Sequence, residues 1–346
     1  MRITGNHRAL AVIAVAAVTM SLAPATSAKP PTGETTASAK IFMVNPVQSS
    51  GDQSLTDMKD SASAVLPTDY ATVPLDNLDG SGYLRGAWAY VESSTGTPAY
   101  SSKGQYFFTR DQDQFEQVMA YFWIDRAQTY LQSLGFDNIV HEPFHVKVGQ
   151  FGGDNSYQTD KPYRIRLGKG GVDDAEDAEV IVHEYGHAVH QSQVPGFGQS
   201  ADAGAIGESF GDYLGVTVGL AAAAEYGWPV RANPACPMDW DSTSYTDAPH
   251  CIRSFSANLQ ATAVGGVHDR SQVWSQALWE IRGDYLALGK TAEAWDATLI
   301  DSQFDYAVDT SFSAAAKATY DAALARDGLQ AANAVKARFA ARGITF

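Results

Sequence analysis

The rhythm of apolar and polar residues divides this chain into stretches of different period. Ala9 to Leu22 is almost unbroken apolar, and a polar Ser/Thr-rich stretch follows. Ile41-Phe42-Met43-Val44 then reads as a first strand. Residues 71–110 alternate and carry the turn pairs Asp79-Gly80 and Ser81-Gly82. Tyr83 to Val91 and Gln105 to Phe108 are predicted as strands of an antiparallel layer. From Phe115 the spacing becomes helical: Phe115, Val118, Met119, Phe122, Trp123, Ala127, Tyr130 and Leu131 share a face up to Leu134-Gly135. This predicts a helix packed under a sheet. Phe144 to Val148 and Tyr163 to Leu167 return to short apolar runs, predicted as strands beside a cleft. Val180 to His190 is a helix, and Gln191 to Asp202 is a loop with Pro195-Gly196 and Gly198. A second helix is predicted from about Ala203 to Ala224. Residues 228–260 look irregular. From Ser271 onward the pattern is helical: Val273, Trp274, Ala277, Leu278 and Ile281 form one stripe. Further helices are predicted over 291–303, 311–325 and 329–342, with Gly328 and Gly343 at ends.

The chain has 346 residues, 45% of them hydrophobic, enough for a core and for two lobes. Arg2 and Arg8, the apolar run and Thr26-Ser27-Ala28 together read as a signal peptide over 1–28. A membrane anchor is the weaker reading, because the run is short for a span and no stop-transfer charges follow. The expected organisation is a leader over 29–70, a mixed N-terminal lobe over 71–190 ending in a motif-bearing helix, and a mainly helical lobe over 191–346. The formal net charge is −15. Removing residues 1–28, which carry two arginines and no acid, takes it to −17. That disfavours nucleic acid and strongly acidic substrates and suits a soluble exported protein. Cys236 and Cys251 are then expected to form one disulfide that staples a long loop. A pair of metal thiolates is disfavoured, since no second pair completes a site.

The chemistry concentrates in His183-Glu184-Tyr185-Gly186-His187. On a helix, residues i and i+4 lie one above the other, so His183 and His187 point at one metal ion. Neutral imidazoles suit zinc, and Glu184 sits close enough to hold a water and act as general base. Zinc needs a third protein ligand and one open position. A histidine ligand would require glycine at 190 and histidine at 193, where this chain has His190 and Gln193. Glu208 on the second helix is the candidate instead. Asp212, one turn further on, can accept the ring N–H of a bound histidine, with His187 the expected partner. His190 is read as a satisfied neighbour rather than a fourth ligand. His268, after Gly265-Gly266, is the candidate donor to an oxyanion. Asp173, Asp174, Glu176 and Asp177 precede the motif helix. They read as solvated acids that complement its dipole, with a Ca2+ site as the alternative.

Over about Val73 to Phe346 the chain resembles the fungalysin and thermolysin-like gluzincin peptidases, with the fungalysin side closer. The zinc helix, the Gly204-Ala205-Ile206-Gly207-Glu208 and Asp212 stretch, Gly266-Val267-His268 with Val273-Trp274, and Ala322 to Gly343 carry the resemblance. It implies an α+β, two-lobe thermolysin-like fold: a mixed N-terminal lobe with an antiparallel sheet, a mainly helical C-terminal lobe, and the zinc helix in the cleft. Asn155-Ser156-Tyr157 is similar to the family's edge segment that binds substrate backbone. Cys251-Ile252-Arg253 resembles a segment whose arginine holds a substrate carbonyl or braces the site. No tyrosine stands between Gln191 and Ala203, where relatives place a second oxyanion donor. Asp269-Arg270-Ser271-Gln272 departs from the usual turn. The short leader leaves no room for the large inhibitory propeptide of relatives. The resemblance implies a secreted, monomeric zinc endopeptidase acting on peptides or proteins, with no nucleic-acid partner and no membrane anchor. An aminopeptidase or narrowly specific processing peptidase is the alternative within enzymes. A non-catalytic metal-bearing binding module is the alternative outside them, disfavoured by the presence of Glu184.

Overall fold

In the first described strand, β1 (Ser38–Phe42), Ala39, Ile41 and Phe42 are buried. The computed structural model describes residues 37–93, 96–160 and 163–346. The signal-peptide reading over 1–28 lies outside these residues. The expected strand through Val44 stops at Phe42 because Val44 turns away with φ 66°. Its carbonyl accepts from the Ala178 N–H at the start of the motif helix. A short helix α1 (Pro46–Ser50) follows, capped by the Asn45 side chain, which also donates to Asp177.

The remaining strands are β2 (Tyr70–Pro74), β3 (Ala89–Ser93), β4 (Gln105–Tyr106), β5 (Phe144–Val148), β6 (Ser156–Asp160) and β7 (Tyr163–Leu167). They form a three-stranded sheet of order β2-β1-β4 and a four-stranded sheet of order β3-β5-β7-β6. The two strands expected to share an antiparallel layer, Tyr83–Val91 and Gln105–Phe108, instead fall in different sheets as β3 and β4; antiparallel pairing joins β1 with β2 and β6 with β7. The other pairings are parallel: β1 with β4, β3 with β5, and β5 with β7. The cause for β3 and β5 is helix α2 (Asp113–Ser133), which crosses between them; such a crossover brings the chain back in the same direction. Tyr83 to Trp88 is taken up by turns and isolated bridges, so only the end of the expected strand pairs in the sheet.

Helix α2 buries Phe115, Val118, Met119, Phe122 and Trp123, and Trp123 Nε1 donates to the Phe42 carbonyl of β1 at 3.3 Å. The stripe read from the sequence therefore seats α2 against the sheets. The remaining long elements are helices: α3 (Ala178–Gln193), α4 (Ala201–Glu225), α5 (Val267–Ala287), α6 (Ala292–Gln303), α7 (Phe312–Asp327) and α8 (Leu329–Ala341). Asp177 and Ser200 cap α3 and α4 by accepting from Glu179 N–H and Ala203 N–H, both at 3.0 Å. A disulfide joins Cys236 to Cys251 across the irregular segment between α4 and α5. Together these elements make an α+β arrangement, a small sheet lobe beside a helical lobe.

The acids before α3 are not a solvated patch. Asp174, Glu176 and Asp177 are buried. Glu176 pairs with the buried Arg110 at 2.8 Å, and the Trp240 indole also donates to it. Glu116, on α2 and 3% exposed, faces the same region. Burial first, then the charge of Asp173, raises its pKa far above the ordinary value of 4.5. A raised folded-state pKa means that its contribution to stability is full below about 4.5. That contribution is lost as pH climbs toward the raised value. Glutamine imitates the protonated acid at every pH. Melting temperatures of Glu116→Gln and the parent chain, taken from pH 5 to 9, should therefore diverge as pH rises. The variant should gain about 2 °C or more, the equivalent of roughly 1 kcal/mol. Parallel curves would show that Glu116 is ionised in the folded state.

Candidate metal centre

Helices α3 and α4 run antiparallel, and glycines on α4 set their distance. A Cβ on Gly211 would lie 2.6 Å from His183 Nδ1, and one on Gly215 would lie 2.9 Å from the Glu179 carbonyl. Bare backbone here lets the His183 ring lie flat against α4. Gly207 stands opposite His187 and His190, Gly211 opposite His183, and Gly215 opposite Glu179. Successive turns of α4 therefore meet successively earlier turns of α3.

This arrangement brings Glu208 between the two histidines. Its Oε2 lies 3.4 Å from His183 Nε2 and its Oε1 lies 3.6 Å from His187 Nε2. The two imidazoles stand almost perpendicular, at 89°, with centroids 4.8 Å apart. Tetrahedral ligands held ~2.0–2.1 Å from zinc are themselves ~3.4 Å apart, so the donor set fits that ion in spacing and in chemistry. Among the described residues, His183, His187 and Glu208 form one of two groups of ionisable side chains that converge closely enough to hold an ion. The other is Asp154, Asp174 and Asp241. The four acids of 173–177 do not converge as a calcium site of their own: Glu176 turns to Arg110, Asp177 caps α3, and Asp174 alone joins the second group.

Asp212 hydrogen-bonds His183 Nδ1 at 2.8 Å, not His187 as expected. The antiparallel run explains the difference, since the turn of α4 after Glu208 lies beside the earlier histidine. With an ion held, a proton on Nδ1 shared with Asp212 would leave the His183 Nε2 lone pair free to bind it. Arg253 grips the same carboxylate with two bonds of 2.6 Å, Nε to Oδ2 and one NH2 to Oδ1. Those two donors are committed to Asp212, while Arg253 also lines the cleft. Burial opposes ionisation of Asp212, but the charge of Arg253 outweighs it and holds the pKa below the ordinary value. Glu208 is lowered too, by the His183 hydrogen bond and charge acting against burial.

Glu184 is buried, and its Oε2 has no hydrogen-bond partner. Burial raises its pKa to about 7, opposed by the charge of His183. His268, at the start of α5, is largely exposed and places Nε2 3.2 Å from Glu208 Oε2. His190 does not reach the centre as a ligand and is not satisfied by hydrogen bonds either. It is buried between the Phe197 and Phe210 rings, at 4.4 and 4.6 Å, and burial lowers its pKa to about 3.

The cleft consists of two cavities of about 290 and 510 Å3, and His183, Glu184, Glu208 and His268 line both. Asn155 and Ser156 also line both, and Tyr157 lines the larger. Ser156 and Tyr157 lie on β6, the edge strand of the four-stranded sheet, and Asn155 just precedes it. Asp154, Asp241 and Tyr245 also line the smaller cavity. The sequence reading did not single them out, because they come from separate segments with no shared local pattern. Tyr245, outside the tyrosine-free stretch from Gln191 to Ala203, gives its hydroxyl to Asp241 at 2.7 Å.

No family model matches the chain, and no curated protein does. Among solved structures it is similar to the precursor of protealysin, a metalloproteinase from Serratia proteamaculans. The TM-score is 0.55 at 18% identity, over 74% of this chain and 87% of that one. The likeness shows a shared fold. It lends no support to the fungalysin side expected from the sequence.

If Asp212 orients His183, Asp212→Asn should weaken zinc binding by about 10- to 100-fold, measured by competition with a coloured chelator. The variant should also melt earlier, because Arg253 is left buried with half its partner, a loss of up to ~3–5 kcal/mol. Unchanged zinc affinity would remove Asp212 from this role.

Proposed function

We propose that this protein is an exported, zinc-dependent endopeptidase of the gluzincin type. One observation carries the reading: the carboxylate of Glu208 stands between His183 Nε2 and His187 Nε2, with the buried Glu184 lining the same cleft. His183, His187 and Glu208 would hold the ion. When bound, zinc supplies a Lewis acid that polarises a carbonyl and acidifies a water.

The chain's own residues do the rest. The edge of β6, with Asn155, Ser156 and Tyr157, offers backbone to an extended peptide and orients it across the cleft. Glu184 Oε2 takes a proton from the attacking water and hands it to the leaving amine as the C–N bond breaks. His268 Nε2 donates to the oxygen on which negative charge develops. Asp212 and Arg253 keep the His183 ring in place while charge moves beside it. The Cys236–Cys251 disulfide supports export, since such bonds persist in oxidising compartments. Among the described residues no helix is long and apolar enough to cross a membrane. A monomer with a two-lobe division at the end of the zinc helix completes the proposal.

Zinc-loaded protein incubated with a peptide mixture should give internal cuts that a zinc chelator abolishes. Glu184→Gln should retain zinc and lose about 10²–10⁴-fold in turnover. His268→Ala should lower kcat by about 10²–10³-fold with little change in KM. Cleavage that survives chelation, or full turnover in Glu184→Gln, would overturn the proposal. Release of single terminal residues alone would point to an exopeptidase.

A further inference from the structure

The smaller cavity beside the metal centre is acidic in a way that peptide hydrolysis alone does not require. Asp154, Asp174 and Asp241 line it, and one oxygen of each lies within 4.8 Å of the others. A hydroxyl holds each carboxylate by Oδ2: Ser244 donates to Asp154 at 3.2 Å, Ser156 to Asp174, and Tyr245 to Asp241 at 2.7 Å. The Oδ1 atoms of Asp174 and Asp241 are buried with no hydrogen-bond partner, on residues only 3% and 4% exposed. An orphaned carboxylate oxygen in a low-dielectric wall is unfavourable, and two side by side are more so. Arg253 lines the same cavity, but its Nε and one NH2 are turned to Asp212. Burial raises Asp174 to about 7 against the pull of Ser156, and burial raises Asp241 well above the ordinary range. Both behave as acids that lack a counter-charge.

We infer that this cavity receives a lysine or arginine side chain of the peptide substrate, at a fixed position beside the bond that is cut. The inference rests on the peptidase reading above and names its substrate class. The carboxylate trio is the counterpart of an ammonium or guanidinium head. Val180, Met238 and Ile252, also in the lining, supply apolar surface for the methylene stem. The volume, about 290 Å3, is near the lower end of the ~300–1,000 Å3 typical of ligand sites, in keeping with one side chain. A calcium ion is the competing occupant. It takes six to eight oxygens, and one from each carboxylate supplies half or fewer. The continuity of the cavity with Glu184 and Glu208 favours a group that arrives with the substrate.

The test is the cleavage profile of the zinc-loaded full chain on a peptide mixture, read by mass spectrometry of product ends, with and without added calcium. The expected result is enrichment of lysine and arginine at one position flanking the cut. The doubly substituted Asp174→Asn, Asp241→Asn chain should lose that enrichment. Its kcat/KM on a lysine-bearing peptide should fall about 10- to 100-fold, the range of a lost charge-assisted hydrogen bond. The same peptide with norleucine in place of lysine should be cut as well as before. Cleavage of the mixture by the unsubstituted chain with apolar residues, or with no preference, at that position overturns this inference and leaves the peptidase reading intact. So does calcium that erases a basic preference while raising Tm in the unsubstituted chain and not in the double variant. The absence of any cleavage overturns both readings. The profile of the unsubstituted chain decides the matter even if the double variant does not fold.

Discussion

The close approach of α3 and α4 is the constraint on which the rest of the site depends. A Cβ on Gly186 would come within 2.9 Å of the Gly211 Cα, so the two helices meet backbone to backbone where the metal residues face one another. Glycine inside a helix costs about 1 kcal/mol relative to alanine. Here that loss is offset by contact that larger residues would prevent, with Ala188, Ile206, Phe210 and Leu214 buried nearby. Only at this separation can a carboxylate on one helix reach two imidazoles on the other. Helical periodicity then adds Asp212 without further geometry, since it lies one turn from Glu208 on the same face.

A second dependence runs outward from Asp212. Its carboxylate lies between the His183 ring and the Arg253 guanidinium, and all three groups are buried. A buried ion pair adds little net stability, yet breaking it strands a charge. The arrangement therefore secures position more than it secures the fold. Arg253 follows Cys251 by two residues, so the disulfide to Cys236 restrains the backbone that delivers it. The orientation of a ring on α3 is thus linked to a covalent bond in a segment with little regular structure of its own.

Much of this was legible in the sequence where the signal is local. The i, i+4 histidines, the glutamate between them, and the Glu208–Asp212 pair follow from helical spacing. The helical stripe from Phe115 marked α2 to within two residues of its observed start at Asp113. Tertiary properties were not legible. Which histidine Asp212 would hold depends on the antiparallel run of α3 and α4, which no single helix encodes. The direction of β3 relative to β5 depends on where α2 returns the chain. The acids of 173–177 resemble a solvated helix start, but Arg110, Trp240 and the wall of the cleft close over them. Asp154 and Asp241 meet Asp174 only through the fold, and each looks like an ordinary loop aspartate in the linear chain.

The stapled segment 228–260 has one further consequence. It supplies Met238, Asp241, Tyr245 and Ile252 to the wall of the smaller cavity, while the residues that would hold an ion ride on α3 and α4. Much of that wall thus comes from a stretch of chain separate from the helices of the ion-binding trio, although Asp174 just before α3 and Val180 on it belong to the same wall. A side chain exchanged at Tyr245 or Ile252 therefore reshapes that wall without touching the two helices. The cross-link between Cys236 and Cys251 ties the two ends of the stretch that carries Asp241 and Tyr245, so the cavity wall keeps its shape independently of the helical pair beneath.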